Sequence, residues 1–140
     1  MSEVLLMSKK SVLIVDDEEG IRESLSGILE DEGYNVLTAS SGEDALAAIR
    51  DNIPDIVFLD VWLPEMDGIE ALSKLKETYA GIPVIMISGH GNIEIAVKAT
   101  RLGAYDFLEK PLSLEKVLIT AKRAIEHKSL EEENRALKEN

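Results

Sequence analysis

The chain has 140 residues and no cysteine, and its 15 Lys and Arg stand against 27 Asp and Glu for a net charge of −12. This length holds one domain with its own core; the missing cysteine excludes disulfides, zinc–thiolate sites and thiol nucleophiles. The acidic balance argues against nucleic acid or an anionic membrane as a partner.

The first ten residues, Met1 to Lys10, carry no basic region followed by an apolar stretch, so they are expected to be a flexible leader rather than a signal peptide. No apolar run approaches the ~18–20 residues that cross a bilayer. A soluble cytoplasmic domain is the expectation.

Five short apolar runs follow in order: Val12 to Val15, Val36 to Ala39, Ile56 to Leu59, Val84 to Ile87, and Tyr105 to Leu108. The first, third and fourth are continuous, as strands buried on both faces of a parallel sheet are; the second and fifth are mixed, as edge strands are. Helical spacing fills the gaps. Ile21, Leu25, Ile28 and Leu29 form one apolar stripe, which Gly33 can close. Ser40 and Glu43 read as a capping box before Ala45, Leu46 and Ile49. Ile69, Leu72, Leu75 and Tyr79 mark a third helix, and Ile95, Ala96, Ala99 and Leu102 a fourth ended by Gly103. Ser113 can cap a fifth carrying Leu114, Val117, Leu118, Ala121 and Ile125. Strands alternating with helices predict an α/β fold with a parallel sheet and right-handed crossovers. Residues 129–140 are polar apart from Leu130, Ala136 and Leu137, and read as a helical extension with little to bury.

Open α/β sheets bind ligands beyond the carboxyl ends of their strands. There the first run leads to Asp16 and Asp17, the third to Asp60, the fourth to Ser88 and the fifth to Lys110-Pro111. No glycine-rich phosphate loop follows the first strand. Three carboxylates in one cleft repel one another and call for a compensating charge. A hard divalent cation with oxygen ligands supplies it, and Mg²⁺ suits a site with few carboxylates. With Lys110 and a hydroxyl, the cleft would neutralise a phosphoryl group, and Asp60 becomes a candidate nucleophile. Each residue also has an ordinary reading. The aspartates can cap a helix, Asp60 and Ser88 can sit in turns, and Lys110 can be a solvated lysine. Those readings must then explain four coincidences at one sheet edge. Glu18 and Glu19 are assigned to helix-terminus electrostatics, Glu43, Asp44, Glu65 and Asp67 to solvation or capping, and His127 to the surface.

The set Asp16-Asp17, Asp60, Ser88 and Lys110-Pro111, together with Phe58-Leu59-Asp60-Val61-Trp62-Leu63-Pro64-Glu65-Met66-Asp67-Gly68, resembles the receiver domain of two-component response regulators. The wording around Ser88-Gly89-His90-Gly91 and from Gly103 to Pro111 is most similar to receivers of sigma-54-dependent, nitrogen-regulatory activators. The resemblance implies a doubly wound, flavodoxin-like sheet of strand order 2-1-3-4-5, with residues 11–128 as the receiver and 129–140 as a helical linker. It implies Asp60 as phospho-acceptor, with Mg²⁺ held by Asp17 and Asp60, by Asp16 through water, and by the Trp62 backbone carbonyl. Ser88 and Lys110 would contact the phosphoryl group, and the Lys110–Pro111 bond would be cis, which proline permits at about 0.5–1 kcal/mol. Trp62 and His90 would tune the lifetime of the phosphorylated state, and Ser88 and Phe107 would form the switch, here without the hydroxyl of a tyrosine. Tyr105 is expected on the same face as Phe107 if the strand is regular.

The implied donor is a phosphohistidine on a sensor histidine kinase, or a small donor such as acetyl phosphate. The output would be transcriptional, the chain being a fragment of a regulator with ATPase and DNA-binding domains or a stand-alone receiver. It would not be an enzyme beyond its own phosphorylation and dephosphorylation. One rival is an aspartate-nucleophile phosphatase, but the carboxylate such enzymes carry two residues after the nucleophile is here Trp62. The other is a non-phosphorylated binding module. Leu130, Asn134 and Leu137 fall on d, a and d heptad positions, which suggests a homodimer aided by the domain surface, since so short a heptad run cannot pair alone.

Overall fold

The computed structural model describes residues 9–89 and 93–139. In chain order the elements are β1 (Ser11–Val15), α1 (Glu19–Asp31), β2 (Asn35–Ala39), α2 (Gly42–Asp51), β3 (Ile56–Asp60), α3 (Gly68–Thr78), β4 (Val84–Ser88), α4 (Ile93–Arg101), β5 (Asp106–Glu109) and α5 (Leu114–Glu139). The strands form one parallel sheet of order β2-β1-β3-β4-β5. This is the doubly wound arrangement expected from the alternating pattern.

The two-residue period of a strand sends neighbouring side chains to opposite faces, and each inner strand here feeds two cores. Leu13, Val15, Val57, Leu59, Val84 and Met86 pack on one face under α2, α3 and α4. Val12, Ile14, Ile56, Phe58, Ile85 and Ile87 pack on the other, against Leu25 and Leu29 of α1 and Val117, Ala121 and Ala124 of α5. All twelve are at most 1% exposed, which is why these runs are continuously apolar. β2 and β5 lie at the edges and expose most of their residues.

Local signals mostly behave as expected. Gly33 and Gly103 adopt φ of 94° and 105° just past α1 and α4, the left-handed conformation of a helix C-terminus. Lys116 donates its backbone N–H to Ser113 Oγ at 3.3 Å, so Ser113 caps α5. Two expectations need correction. The cap of α2 is Ser41, not Ser40: its Oγ accepts from the Asp44 N–H at 3.1 Å. Both serines precede an acidic residue by three, but α2 begins at Gly42, and only the residue directly before it can act as N-cap. Tyr105 also does not share a face with Phe107. It precedes β5, so strand alternation does not govern it, and its ring lies 5.6 Å from that of His127 on α5. Phe107 packs instead on the core under α2, α3 and α4.

α5 runs unbroken for 26 residues. Its last buried residue is Ile125; Leu130 and Leu137 are 61% and 71% exposed.

Candidate functional site

The carboxyl ends of β1, β3, β4 and β5 bring the candidate residues together. Asp16 follows β1 directly and is fully buried. Its backbone N–H donates to the Ala39 carbonyl at 3.2 Å, and its Oδ1 accepts from the Glu18 N–H at 2.9 Å. It therefore braces the turn into α1 rather than capping the helix; the residue at the N-cap is Glu18, which makes no side-chain cap bond. Asp60 is the last residue of β3 and 3% exposed. Its Oδ1 accepts from the Trp62 N–H at 3.2 Å. Ser88 ends β4 and is fully buried.

Lys110 ties these ends together. Its backbone N–H donates to the Ser88 carbonyl at 2.8 Å, which carries the chain from β5 back to the edge of β4. The Lys110–Pro111 bond is cis, as expected. Lys110 Nζ lies 3.0 Å from Asp16 Oδ2, 3.4 Å from Asp60 Oδ2 and 3.8 Å from Glu18 Oε1. One ammonium thus serves three carboxylates, with Asp16 nearest.

The electrostatics follow from that crowding. Burial is the largest influence on Asp60 and raises its pKa; the neighbouring Asp16 charge raises it further. The Lys110 charge and hydrogen bond and the Trp62 N–H pull it back, and the outcome is about 6 against an ordinary 3.8. For Lys110, burial works to lower the pKa. The hydrogen bond to Asp16 and the charges of Asp60, Asp16 and Glu18 outweigh it and leave the ammonium above its ordinary value.

The carboxylates also fit a metal ion. Oxygens of Asp16, Asp17 and Glu18 lie within 4.8 Å of one another, Asp17 and Glu18 being exposed. Asp16 Oδ2 is buried without an aligned hydrogen bond, Lys110 approaching it as an ion pair only. An acceptor left so is costly unless a cation completes it. The cluster is built from Glu18 where the sequence reading had Asp60, which stands across Lys110 from it. Glu18 is thus a site residue that helix-terminus electrostatics concealed.

Gly68 is a second residue whose role the sequence did not reveal. Its N–H donates to the Val61 carbonyl at 2.8 Å and closes the loop after Asp60. A Cβ on Gly68 would collide with the Asp60 carbonyl oxygen and come within 2.7 Å of Val61 Cα. Asp67 caps α3 by accepting from the Glu70 N–H at 2.8 Å. Trp62 is 52% exposed and lines a groove with Ile69, Ile95 and Leu102. Phe107 is half-buried. His90 lies outside the described residues.

A parallel sheet of this order with an aspartate at the end of β3, paired carboxylates after β1 and a lysine after β5 defines a class of signalling domain. The response regulator receiver domain family matches residues 12–122, and the chain belongs to it. It is 48% identical over 130 residues to the nitrogen assimilation regulatory protein NtrX of Azorhizobium caulinodans, covering 91% of this chain and 29% of that protein. Its fold is similar to the crystal structure of NtrX from Brucella abortus in complex with ADP, with a TM-score of 0.88, 47% identity, and coverage of 92% of this chain and 30% of that one. It is also similar to a CheY-like receiver domain protein from Methanospirillum hungatei JF-1, with a TM-score of 0.86, 33% identity, and coverage of 89% and 99%. The resemblance to receivers of sigma-54-dependent, nitrogen-regulatory activators therefore holds. The chain spans less than a third of the length of the curated relatives it matches. Receiver domains of this family use Mg²⁺ with an acidic cluster. Among the described residues no helix is long and apolar enough to cross a membrane.

Proposed function

We propose that the chain is a phosphorylation-driven switch in which Asp60 takes a phosphoryl group from a sensor histidine kinase. The observation that carries this reading is the position of Lys110 Nζ between Asp16 and Asp60, 3.0 and 3.4 Å away, at the carboxyl edge of the sheet. An Asp60 oxygen would attack the donor phosphorus. The bond from phosphorus to the imidazole nitrogen of a phosphohistidine, or to the acyl oxygen of acetyl phosphate, breaks. Its electron pair leaves with the donor, and Asp60 becomes an acyl phosphate. Asp17, Asp16, Asp60 and the Trp62 carbonyl are the proposed holders of Mg²⁺, with Glu18 beside them. The ion, when bound, neutralises charge on the phosphoryl oxygens. Lys110 would pair with the phosphoryl group and Ser88 hydrogen-bond it. Phe107 would follow Ser88, moving by packing alone.

Intact mass after incubation with Mg²⁺ and acetyl phosphate tests the assignment. Wild type should gain one phosphoryl group and Asp60→Asn none; a gain in Asp60→Asn would sink it. Following the decay of the same signal addresses Trp62 and His90. If Trp62→Ala loses phosphate at the wild-type rate, the indole does not tune the lifetime. Repeated turnover of a phosphate ester would favour the phosphatase instead, and failure of wild type to label would favour the binding module.

The setting we propose is cytoplasmic, with residues 11–128 as the receiver, 1–10 as a leader and 129–140 as a linker toward ATPase and DNA-binding output domains. The exposed Leu130 and Leu137 support a homodimer along α5. Sedimentation should show the 140-residue chain self-associating and a chain ending at His127 doing so less. Two monomers at high micromolar concentration, with and without phosphorylation, would end that idea.

A further inference from the structure

Arg22 lies in the first turns of α1, surrounded in sequence by Glu18, Glu19 and Glu23. Among the described residues its guanidinium nevertheless forms no ion pair. Its Nη1 instead donates to the backbone carbonyl of Asp16 at 2.7 Å, in a partly buried contact six residues back along the chain. That carbonyl belongs to the peptide joining Asp16 to Asp17. The ladders of β1 with β2 and β3 both end at Val15, so no strand partner holds it. The Asp16 N–H and Oδ1 are tied to Ala39 and Glu18. The Arg22 bond is therefore the contact that fixes the plane of the following peptide, and with it the direction in which Asp17 leaves the backbone.

We infer that Arg22 is a positioning residue for the cation site, holding the Asp16–Asp17 peptide so that both carboxylates converge. This inference rests on the magnesium reading given above. The same geometry supplies a test by sign. A guanidinium beside a cation site repels the cation, so charge alone makes removal of Arg22 tighten Mg²⁺ binding. Positioning makes removal weaken it, since groups that orient metal ligands typically carry about 10–100-fold in affinity.

Trp62 is the single tryptophan, and its N–H is bonded to Asp60, so its fluorescence can report MgCl₂ titrations of the full chain. Isothermal calorimetry would give an independent affinity. Arg22→Met keeps the length of the side chain and removes its donors and charge; Arg22→Lys keeps charge and a donor of similar reach. Arg22→Met should weaken Mg²⁺ binding by about 10-fold or more, and Arg22→Lys should recover most of the loss. Urea unfolding in EDTA separates this from general destabilisation, and Arg22→Gln, too short to reach the carbonyl, replaces Arg22→Met if the latter is poorly folded. Unchanged or tighter binding in the variants lacking the donor, or equal weakness in Arg22→Lys, would overturn the inference while leaving the magnesium reading intact. A wild-type chain that takes up no Mg²⁺ would overturn both.

Discussion

Gly68→Ala should unfold the protein about 10 °C or more below wild type and all but abolish labelling of Asp60. The added Cβ would meet backbone, the Asp60 carbonyl and Val61 Cα, and not the end of a side chain that could swing away. Overpacking against soft side chains costs about 1–3 kcal/mol. Rigid backbone on both sides places this substitution at or above the top of that range, and each kcal/mol moves the midpoint of a domain this size by about 3–5 °C. The first turn of α3 can escape only by pulling the Asp60–Val61 peptide or the Gly68 N–H to Val61 bond out of place. Displacing a reacting group by about 1 Å is enough to lose about 10²-fold in rate. Thermal unfolding and initial labelling rates check this. A variant that melts and labels like wild type would show that the loop moves freely and that Gly68 does not hold Asp60.

Asp60→Asn should be more stable than wild type at neutral pH in EDTA, and the advantage should vanish in acid. The folded state raises the Asp60 pKa from 3.8 to about 6, so it binds the proton more tightly than the unfolded chain does. Stability then falls as the pH rises through that interval. Below pH 3.8 the group is protonated in both states and carries no penalty; above pH 6 the full cost of the buried charge is present. About two units correspond to ~3 kcal/mol, reduced by whatever the Lys110 pairing with Asp60 returns. Lys110 keeps Asp16 and Glu18 as partners in the variant. Urea unfolding of both proteins at pH 7.5 and pH 4 should give a gap of about 1–3 kcal/mol that closes at the lower pH. A gap of the opposite sign at pH 7.5, or one indifferent to pH, would contradict the account. A residue that weakens its own fold at the working pH is what a site kept for chemistry looks like, stability being given up where function needs a charge.

The inner strands were legible because burial on both faces demands unbroken apolar runs, and the edge strands because exposure on one side relaxes that demand. The candidate site was legible because the sheet topology brings the ends of β1, β3, β4 and β5 to one edge, and their last residues carry the chemistry. What escaped depends on contacts that spacing does not encode. Ser40 and Ser41 satisfy the same capping pattern, and only the end of β2 at Ala39 and the start of α2 at Gly42 decide between them. Glu18 reads as an acidic residue at a helix start until Lys110 is placed 3.8 Å away. Arg22 reads as an ordinary helix residue because its bond to Asp16 follows from how the chain turns between β1 and α1. Gly68 carried a signal, a glycine between a capping Asp67 and the apolar stripe of α3, but its meaning needed the neighbouring backbone.

The unbroken α5 has a mechanical consequence. From His127 to Glu139 it rises by about 18 Å at 1.5 Å per residue, with no loop or proline to absorb motion. It behaves as a lever arm whose fulcrum is the buried patch of Val117, Ala121 and Ala124. A tilt of about 10° at that fulcrum would carry the far end through roughly 3 Å. A sub-ångström repacking beneath the sheet is thereby converted into a displacement large enough to make or break contacts at the tip.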